Sequence, residues 1–432
     1  MNMKKIFTIA ALAAVSSFAA AQSGTNSPYS QYGLGEQTQQ ATGFNKGMNG
    51  LGLGYRKGDQ LNTLNPASYS AMDSLTFIFD AGISGQLTNF EENGKRINAK
   101  NANFEYVAAG FRAFKHLGVS FGIMPYTNVG YSYSNSHKVG DADATTYYNT
   151  YKGTGGVHQI YLGMGWEIFK GFSLGVSGAY LWGDYERQIV NSYSDSYTNT
   201  LSKYYTASIT DYKVDFGAQI AIPFSKKSNL TIGLTYGLGH KMAADPECKV
   251  ISTNSQTLVS DTASYVIKDG FEMPNVMSGG FMLNLAEKFR IGADYQLQKW
   301  GDVGFPVYTN TNSGPSYQIS NDYFKDRHKV TIGGEYCKNP TSNKFFQRIR
   351  FRAGASYATP YFKINGKDGP KEISVSAGFG IPIMNGWNNR SVLNISGQWV
   401  RLDASNLLRE NTFRINIGLT FNERWFMKWK VD

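Results

Sequence analysis

Arg350 and Arg352 stand two residues apart in a run whose flanking positions, Ile349, Phe351 and Ala353, are apolar. If that run is a strand, both guanidiniums leave the same face, and such a pair suits an anionic headgroup such as a carboxylate. Tyr131 and Tyr133 repeat the two-residue spacing with phenol rings. With the aromatic groups of residues 147–151 they are the expected lining of an apolar ligand pocket. Lys213, Asp215, Arg290, Asp294, Glu335 and Arg414 occupy the same parity in their own runs. A structural network of paired charges is the default use for this set, with ligand binding second.

Catalytic chemistry finds little support. His116, His137, His158, His240 and His328 show no metal-ligand spacing, so no metal is expected. No Gly-x-Ser-x-Gly elbow, Walker loop or dinucleotide fingerprint occurs, which leaves no cofactor and no enzyme class to predict. The net charge of +10 is spread along the chain and leaves no nucleic-acid footprint. Basic residues of this kind are better placed against lipid headgroups.

The elements that would carry these residues are strands. Leu230, Ile232, Leu234, Tyr236 and Leu238 alternate with Thr231, Gly233, Thr235, Gly237 and Gly239. One face of such a strand meets hydrocarbon and the other a lumen, whereas a helix would scatter the apolar groups. Comparable runs begin near Leu75, Phe172, Tyr212, Phe289, Val330, Ile349, Ile373, Leu393 and Phe413, and weaker ones near Asn101, Leu117, Val157 and Val276. The total is fourteen, and an even number is what a single-chain bacterial barrel requires. The 28 Tyr, 27 Phe and 47 Gly suit such strands and their aromatic girdles.

Tight links at Lys115-His116, Lys170-Gly171, Ser225 to Ser228 and Ala286-Glu287 alternate with long polar connections at 136–156, 187–203, 241–273 and 301–327. Short periplasmic turns and longer outer loops sort in this way. Cys248 then lies outside the cell and Cys337 on the periplasmic side, too far apart to form a disulfide.

Lys4, Lys5, the apolar run from Ile6 to Val15 and Ala19-Ala20-Ala21 read as a cleaved signal peptide over residues 1–21. No cysteine follows the cut, so a lipoprotein anchor is not expected, and no later run is long and apolar enough for a membrane helix. Residues 22–73 do not alternate, are rich in glycine from Gly43 to Gly58 and close on Asn65-Pro66-Ala67. A segment of this size can fold into a lumen as a plug, ahead of a barrel over 74–432. The fold class is therefore all-β: a transmembrane antiparallel barrel of about fourteen strands with an N-terminal hatch.

At this point the chain resembles the FadL family of outer-membrane channels for long-chain fatty acids and other hydrophobic compounds. The resemblance rests on Asn65-Pro66-Ala67 before the first strand, Pro274 with Gly279-Gly280 in the eighth, Asp294-Tyr295 leading to Trp300 in the ninth, and Arg352-Ala353-Gly354 before Tyr357 in the eleventh. Ser27-Pro28-Tyr29-Ser30 and Trp425-Phe426 are similar to members of the Bacteroidetes branch. The resemblance implies a lateral opening at a kink of the third strand, for which Pro125 and Gly130 are the candidates. A bulge without an opening is the equal alternative.

Two functions follow. One is uptake of hydrophobic small molecules across the outer membrane, with membrane lipid and a small apolar ligand as partners. The other is a non-transporting subunit or carrier platform of a larger outer-membrane complex, in secretion or barrel insertion. Transport predicts an apolar pocket beneath the outer loops. Scaffolding predicts a filled lumen and an apolar patch beyond the membrane band.

Overall fold

The computed structural model describes residues 24–139, 145–195, 197–312, 314–383, 391–405 and 407–424. The predicted signal peptide at 1–21, the first two residues of the segment 22–73, and Trp425-Phe426 lie outside them.

Fourteen antiparallel strands form a closed barrel. They are β1 Thr76–Glu92, β2 Lys95–Phe114, β3 in two pieces Leu117–Pro125 and Thr127–Val139, β4 Thr145–Phe169 and β5 Phe172–Tyr193. Then follow β6 Thr200–Ser225, β7 Ser228–Gly237, β8 Val276–Leu285, β9 Phe289–Gln298 and β10 Arg327–Cys337. The last four are β11 Arg350–Ala358, β12 Lys371–Ile383, β13 Ser391–Asp403 and β14 Arg409–Arg424. Pairing of β1 with β14, from Thr76↔Arg424 to Glu91↔Arg409, closes the ring. Closure removes the sheet edge that hydrocarbon could not satisfy.

The side chains alternate as their types dictate. Ile232, Leu234 and Tyr236 of β7 point outward and are exposed on the bare chain, as are Phe289, Ile291 and Tyr295 of β9. Glu335, Arg350 and Arg352 point inward and are buried. A belt of Leu, Ile, Phe and Tyr on the outside is stable only against lipid, which makes this an outer-membrane barrel.

Strand boundaries depart from expectation on the outer side. β4 begins at Thr145 rather than near Val157, and β2 at Lys95 rather than Asn101. The connections expected over 136–156 and 187–203 are largely strand, with Tyr147 opposite Tyr193 and Asn191 opposite Leu201. Beyond the membrane neither face of these strands meets hydrocarbon, so hydropathy stops alternating while the backbone continues to pair. The connection 241–273 likewise holds a hairpin, Glu247–Thr253 with Ser260–Val266, whose first strand also pairs with β6. The connection 301–327 holds another, Phe305–Thr311 with Gly314–Ser320. The β1–β2 link is outer yet short: Asn93 and Gly94 both take positive φ, as a two-residue hairpin turn requires. Cys248 and Cys337 are both free and buried.

Residues 24–73 bond to inward-facing groups around the ring. Gly52 and Leu53 N–H donate to Asp294 of β9, Asn49 donates to Ser356 of β11, Gly43 N–H donates to Tyr106 of β2, and the Gln219 amide of β6 donates to Leu53 O. Partners on so many strands put the segment inside the ring. Phe44, Met48, Leu51, Tyr55 and Met282 form one apolar cluster at its centre.

Candidate functional site

Asn65-Pro66-Ala67 opens a short 3-10 helix, Pro66–Ala71. Proline presets φ for the first turn, and the Asn65 side-chain oxygen Oδ1 accepts from Ala67 N–H at 3.0 Å, capping it. The Asn65 amide nitrogen donates outward to Leu53 O at 3.0 Å and to Ala218 O of β6 at 3.2 Å. The triplet is therefore both a turn and a clasp between segment and wall. The wall admits it by omitting side chains: a Cβ at Gly175 would lie 2.4 Å from Ala67 N, and one at Gly233 would lie 1.9 Å from Leu53 O. These inward glycines are functional positions that a sequence reading passes over as ordinary alternation partners. Their signal is the repeat of glycine on the lumen parity of β4 to β7.

At the short-turn half of the lumen, the arginine pair is engaged by protein groups. Arg350 donates to Asp59 of the segment at 2.6 Å. Arg352 donates to Glu335 at 2.8 Å and to Asn394 at 2.7 Å, and its guanidinium lies over the Phe44 ring. Arg290 bonds the other Glu335 oxygen at 2.5 Å, and Lys57 lies 3.1 Å from Asp59. Burial works to raise the Asp59 carboxyl, but Arg350 and Lys57 outweigh it and hold the group well below the usual carboxylate range. Lys57 is pushed down to about 8 by burial and by the Arg350 charge. Lys46 of the segment is wholly enclosed and paired with Glu105. Of the other predicted lumen charges, Lys213 and Asp215 pair with each other, Asp294 holds the Gly52-Leu53 backbone, and Arg414 donates to Gln86 at 2.9 Å. Asp294 and Arg414 join strands to the segment or to one another, whereas the Lys213–Asp215 pair lies within β6.

The outer half holds the wall interruption. Pro125 offers no N–H, and its carbonyl accepts from Thr38 at 2.6 Å and from Gln40 at 3.0 Å, so β3 is drawn inward at this residue. Tyr126 lies between the two pieces of β3. The first piece pairs with β2 from Val107 to Phe114. The second pairs with β4, and on its other side only with Glu36-Gln37 of the segment. Among the described residues, the outer part of β2 and the second piece of β3 therefore face each other without a ladder. Asn26 donates to Lys100 O on one edge at 3.2 Å, and Ser30 accepts from Gly130 N–H on the other at 3.1 Å. Gly130 is thus one end of a clasp with the segment. The bend itself is carried by β4, where Gly155 (φ +121°) and Gly156 (φ +135°) take conformations that side-chain-bearing residues rarely adopt.

Tyr131, only 5% exposed, belongs to a large aromatic core with Val129, Tyr185, Phe271, Trp300, Phe305 and Phe324. Tyr133 stacks on Tyr151 with centroids 4.9 Å apart and accepts from Gln31 at 2.9 Å. The expected pocket lining is thus packed ring to ring. A cavity of about 90 Å³ lies beside it, and its walls mix charged groups, Glu36, Arg327, Glu372, Glu410 and Arg414, with the apolar surfaces of Tyr29, Tyr361, Phe362, Val400 and Leu402. Among the described residues no group of three His, Cys, Asp or Glu side chains is arranged to hold a metal ion.

A closed fourteen-stranded outer-membrane barrel, with its third strand in two pieces and its N-terminal segment bonded to inward-facing groups, is the class of protein that fold and site define. The family profile that matches it is BamG, over residues 3–432, and the chain belongs to that family. No curated protein matches it by sequence. Several solved structures share the fold. The toluene transporter TodX of Pseudomonas putida superposes with TM-score 0.59 at 14% identity, over 90% of this chain and 99% of that one. A FadL homologue of Pseudomonas aeruginosa gives 0.60 at 10%, over 91% and 100%, and the toluene transporter TbuX of Ralstonia pickettii gives 0.58 at 13%, over 89% and 98%. The resemblance to FadL channels thus holds at the level of fold, and these neighbours are channels rather than enzymes.

Proposed function

We propose that this chain is a hatch-closed, non-transporting barrel that serves as a subunit or carrier platform of a larger outer-membrane assembly, such as barrel-insertion machinery. The observation that carries the reading is the filled interior: the rings expected to line a ligand pocket pack against one another, and the arginine pair is spent on Asp59, Glu335 and Asn394. Membership of the BamG family supports it. So does the crest of the outer sheet, where Tyr197, Leu258 and Val259 are exposed well beyond the lipid belt and Ser255 bonds to Thr198 O to hold the two loops together. In this reading residues 22–73 are a permanent hatch.

The wall interruption at Pro125 favours a second reading, uptake of hydrophobic small molecules through a lateral opening. The neighbours described as toluene transporters support it by likeness of fold. Under it Tyr131, Tyr133, Arg350 and Arg352 would meet ligand after the hatch rearranges. The similarity of Ser27-Pro28-Tyr29-Ser30 to Bacteroidetes members is compatible with both. A native pull-down from solubilised outer membranes separates them: a stoichiometric protein partner supports the assembly subunit, and copurified apolar small molecules without a partner overturn it in favour of transport.

A further inference from the structure

At the short-turn end of the barrel, successive links repeat one combination of side chains. Phe114 precedes Lys115, Phe169 precedes Lys170, Phe224 lies beside Lys226 and Lys227, Lys288 precedes Phe289, and Lys344 precedes Phe345 and Phe346. All the lysines are exposed. The rings are exposed too, Phe114 by 73% and Phe346 by 80%. None of these lysines is held in an ion pair among the described residues. Among the described residues the exposed acids at this end are Glu287 and Glu423. The outer end is different, because there Glu92, Asp184 and Glu186 are interspersed with Lys95, Arg96 and Lys100, and Arg96 pairs with Glu91.

The combination has a physical reading. An exposed phenylalanine at the rim of the lipid belt rests at the boundary of acyl chains and headgroups. The neighbouring lysine then extends its stem along that boundary and puts its ammonium at phosphate level. The links join β2–β3, β4–β5, β6–β7, β8–β9 and β10–β11, so the combination recurs along ten consecutive strands. A protein partner would call for one sector of charge, whereas an annulus of lipid meets every sector.

We propose that these turns form a lysine collar that selects anionic phospholipid headgroups in the periplasmic leaflet. It needs only the membrane orientation and is independent of whether the barrel transports or scaffolds.

The test is native mass spectrometry of the full-length mature protein in mild detergent, with equimolar phosphatidylglycerol and phosphatidylcholine as probes. The expected result is that phosphatidylglycerol adducts exceed phosphatidylcholine adducts by about fivefold or more at low salt, since each lysine near an anionic surface contributes a factor of that order. Raising the salt from 0.1 to 1 M, which shortens the screening length from about 10 to about 3 Å, should erase the preference. Replacing Lys115, Lys170, Lys226, Lys227, Lys288 and Lys344 with Gln should bring the ratio near unity while heat-modifiable gel migration reports an intact barrel. Lys95→Gln with Lys100→Gln at the other end should leave it unchanged. Should the six-lysine variant misfold, the salt series on the native chain decides alone. Equal adducts on the native chain, or a preference that survives in a folded variant, overturn the proposal. A variant that keeps its lipid preference but loses a copurified protein would reassign the collar to that protein.

Discussion

The pair Asp59–Arg350 is the point at which the hatch can be released selectively. Its partners lie 2.6 Å apart with about a tenth of each side chain exposed, and Lys57 adds a second cation at 3.1 Å. Asp59→Ala removes one member of a buried pair and strands a guanidinium, a change that costs about 3–5 kcal/mol. At about 1.4 kcal/mol per decade, the population with the segment unseated should rise by roughly two to three and a half orders of magnitude. Trypsin reads this population, because Arg56 and Lys57 are largely enclosed and ion-paired in the seated state, with 11% and 21% of their side chains exposed. Cleavage that is slow relative to reclosing tracks the open fraction, so the Asp59→Ala rate should exceed the native rate by a hundredfold or more. Asp59→Asn combined with Arg350→Gln removes both charges and should recover most of the difference. Equal rates for native and Asp59→Ala, or a double variant as labile as the single, would refute the assignment of this pair as a latch.

Because Asp59 has a lower pKa in the seated state than when released, its contribution is present above about pH 4, where the released carboxyl is ionised, and is lost progressively as pH falls from there through the seated value. Trypsin replaced by pepsin should therefore find the segment still protected at pH 4, and lability already at pH 5 would contradict the sign. Asn65→Ala loses a cap and two clasps to backbone carbonyls and should raise the tryptic rate by an amount equivalent to about 2–3 kcal/mol. Gly175→Val places a side chain where Ala67 N and Pro66 C already lie, so the barrel should assemble with its segment displaced, visible as tryptic cleavage of a heat-modifiable band. Pro125→Ala should leave amide exchange of residues 127–139 little changed, since Gly155 and Gly156 carry the bend; protection of that piece appearing on its β2-facing side would show that proline alone keeps the wall open.

The parts of this protein legible in its residues are those governed by short-range periodicity. Runs such as Leu230 to Leu238 specify strand, facing and membrane together, because a period of two leaves no other way to sort apolar from small residues. Residue type alone singles out Pro125 through its missing donor, and the division of β3 into two pieces falls beside it. The outer ends of β2 and β4 to β6 were not legible, since residues such as Tyr147, Ser192 and Lys203 lie beyond the hydrocarbon, where neither face has to be apolar, and carry no hydropathy signal. Nor was the employment of the arginine pair: Arg350 and Arg352 were placed correctly on the lumen face, but Asp59 lies 291 residues from its partner, and nothing local announces such a pairing.

The amino-acid order by itself determined that this chain makes a membrane-spanning barrel, how many strands it has and which side of each faces hydrocarbon. Those properties follow from the alternation of side chains along a single strand. Whether the lumen is open, which charges are free and where the ladder breaks were decided only when distant strands closed around residues 24–73. Occupancy of an interior depends on shapes meeting across the ring, and the inward glycines, the clasp at Asn65 and the packed rings around Tyr131 acquire meaning only in that enclosure.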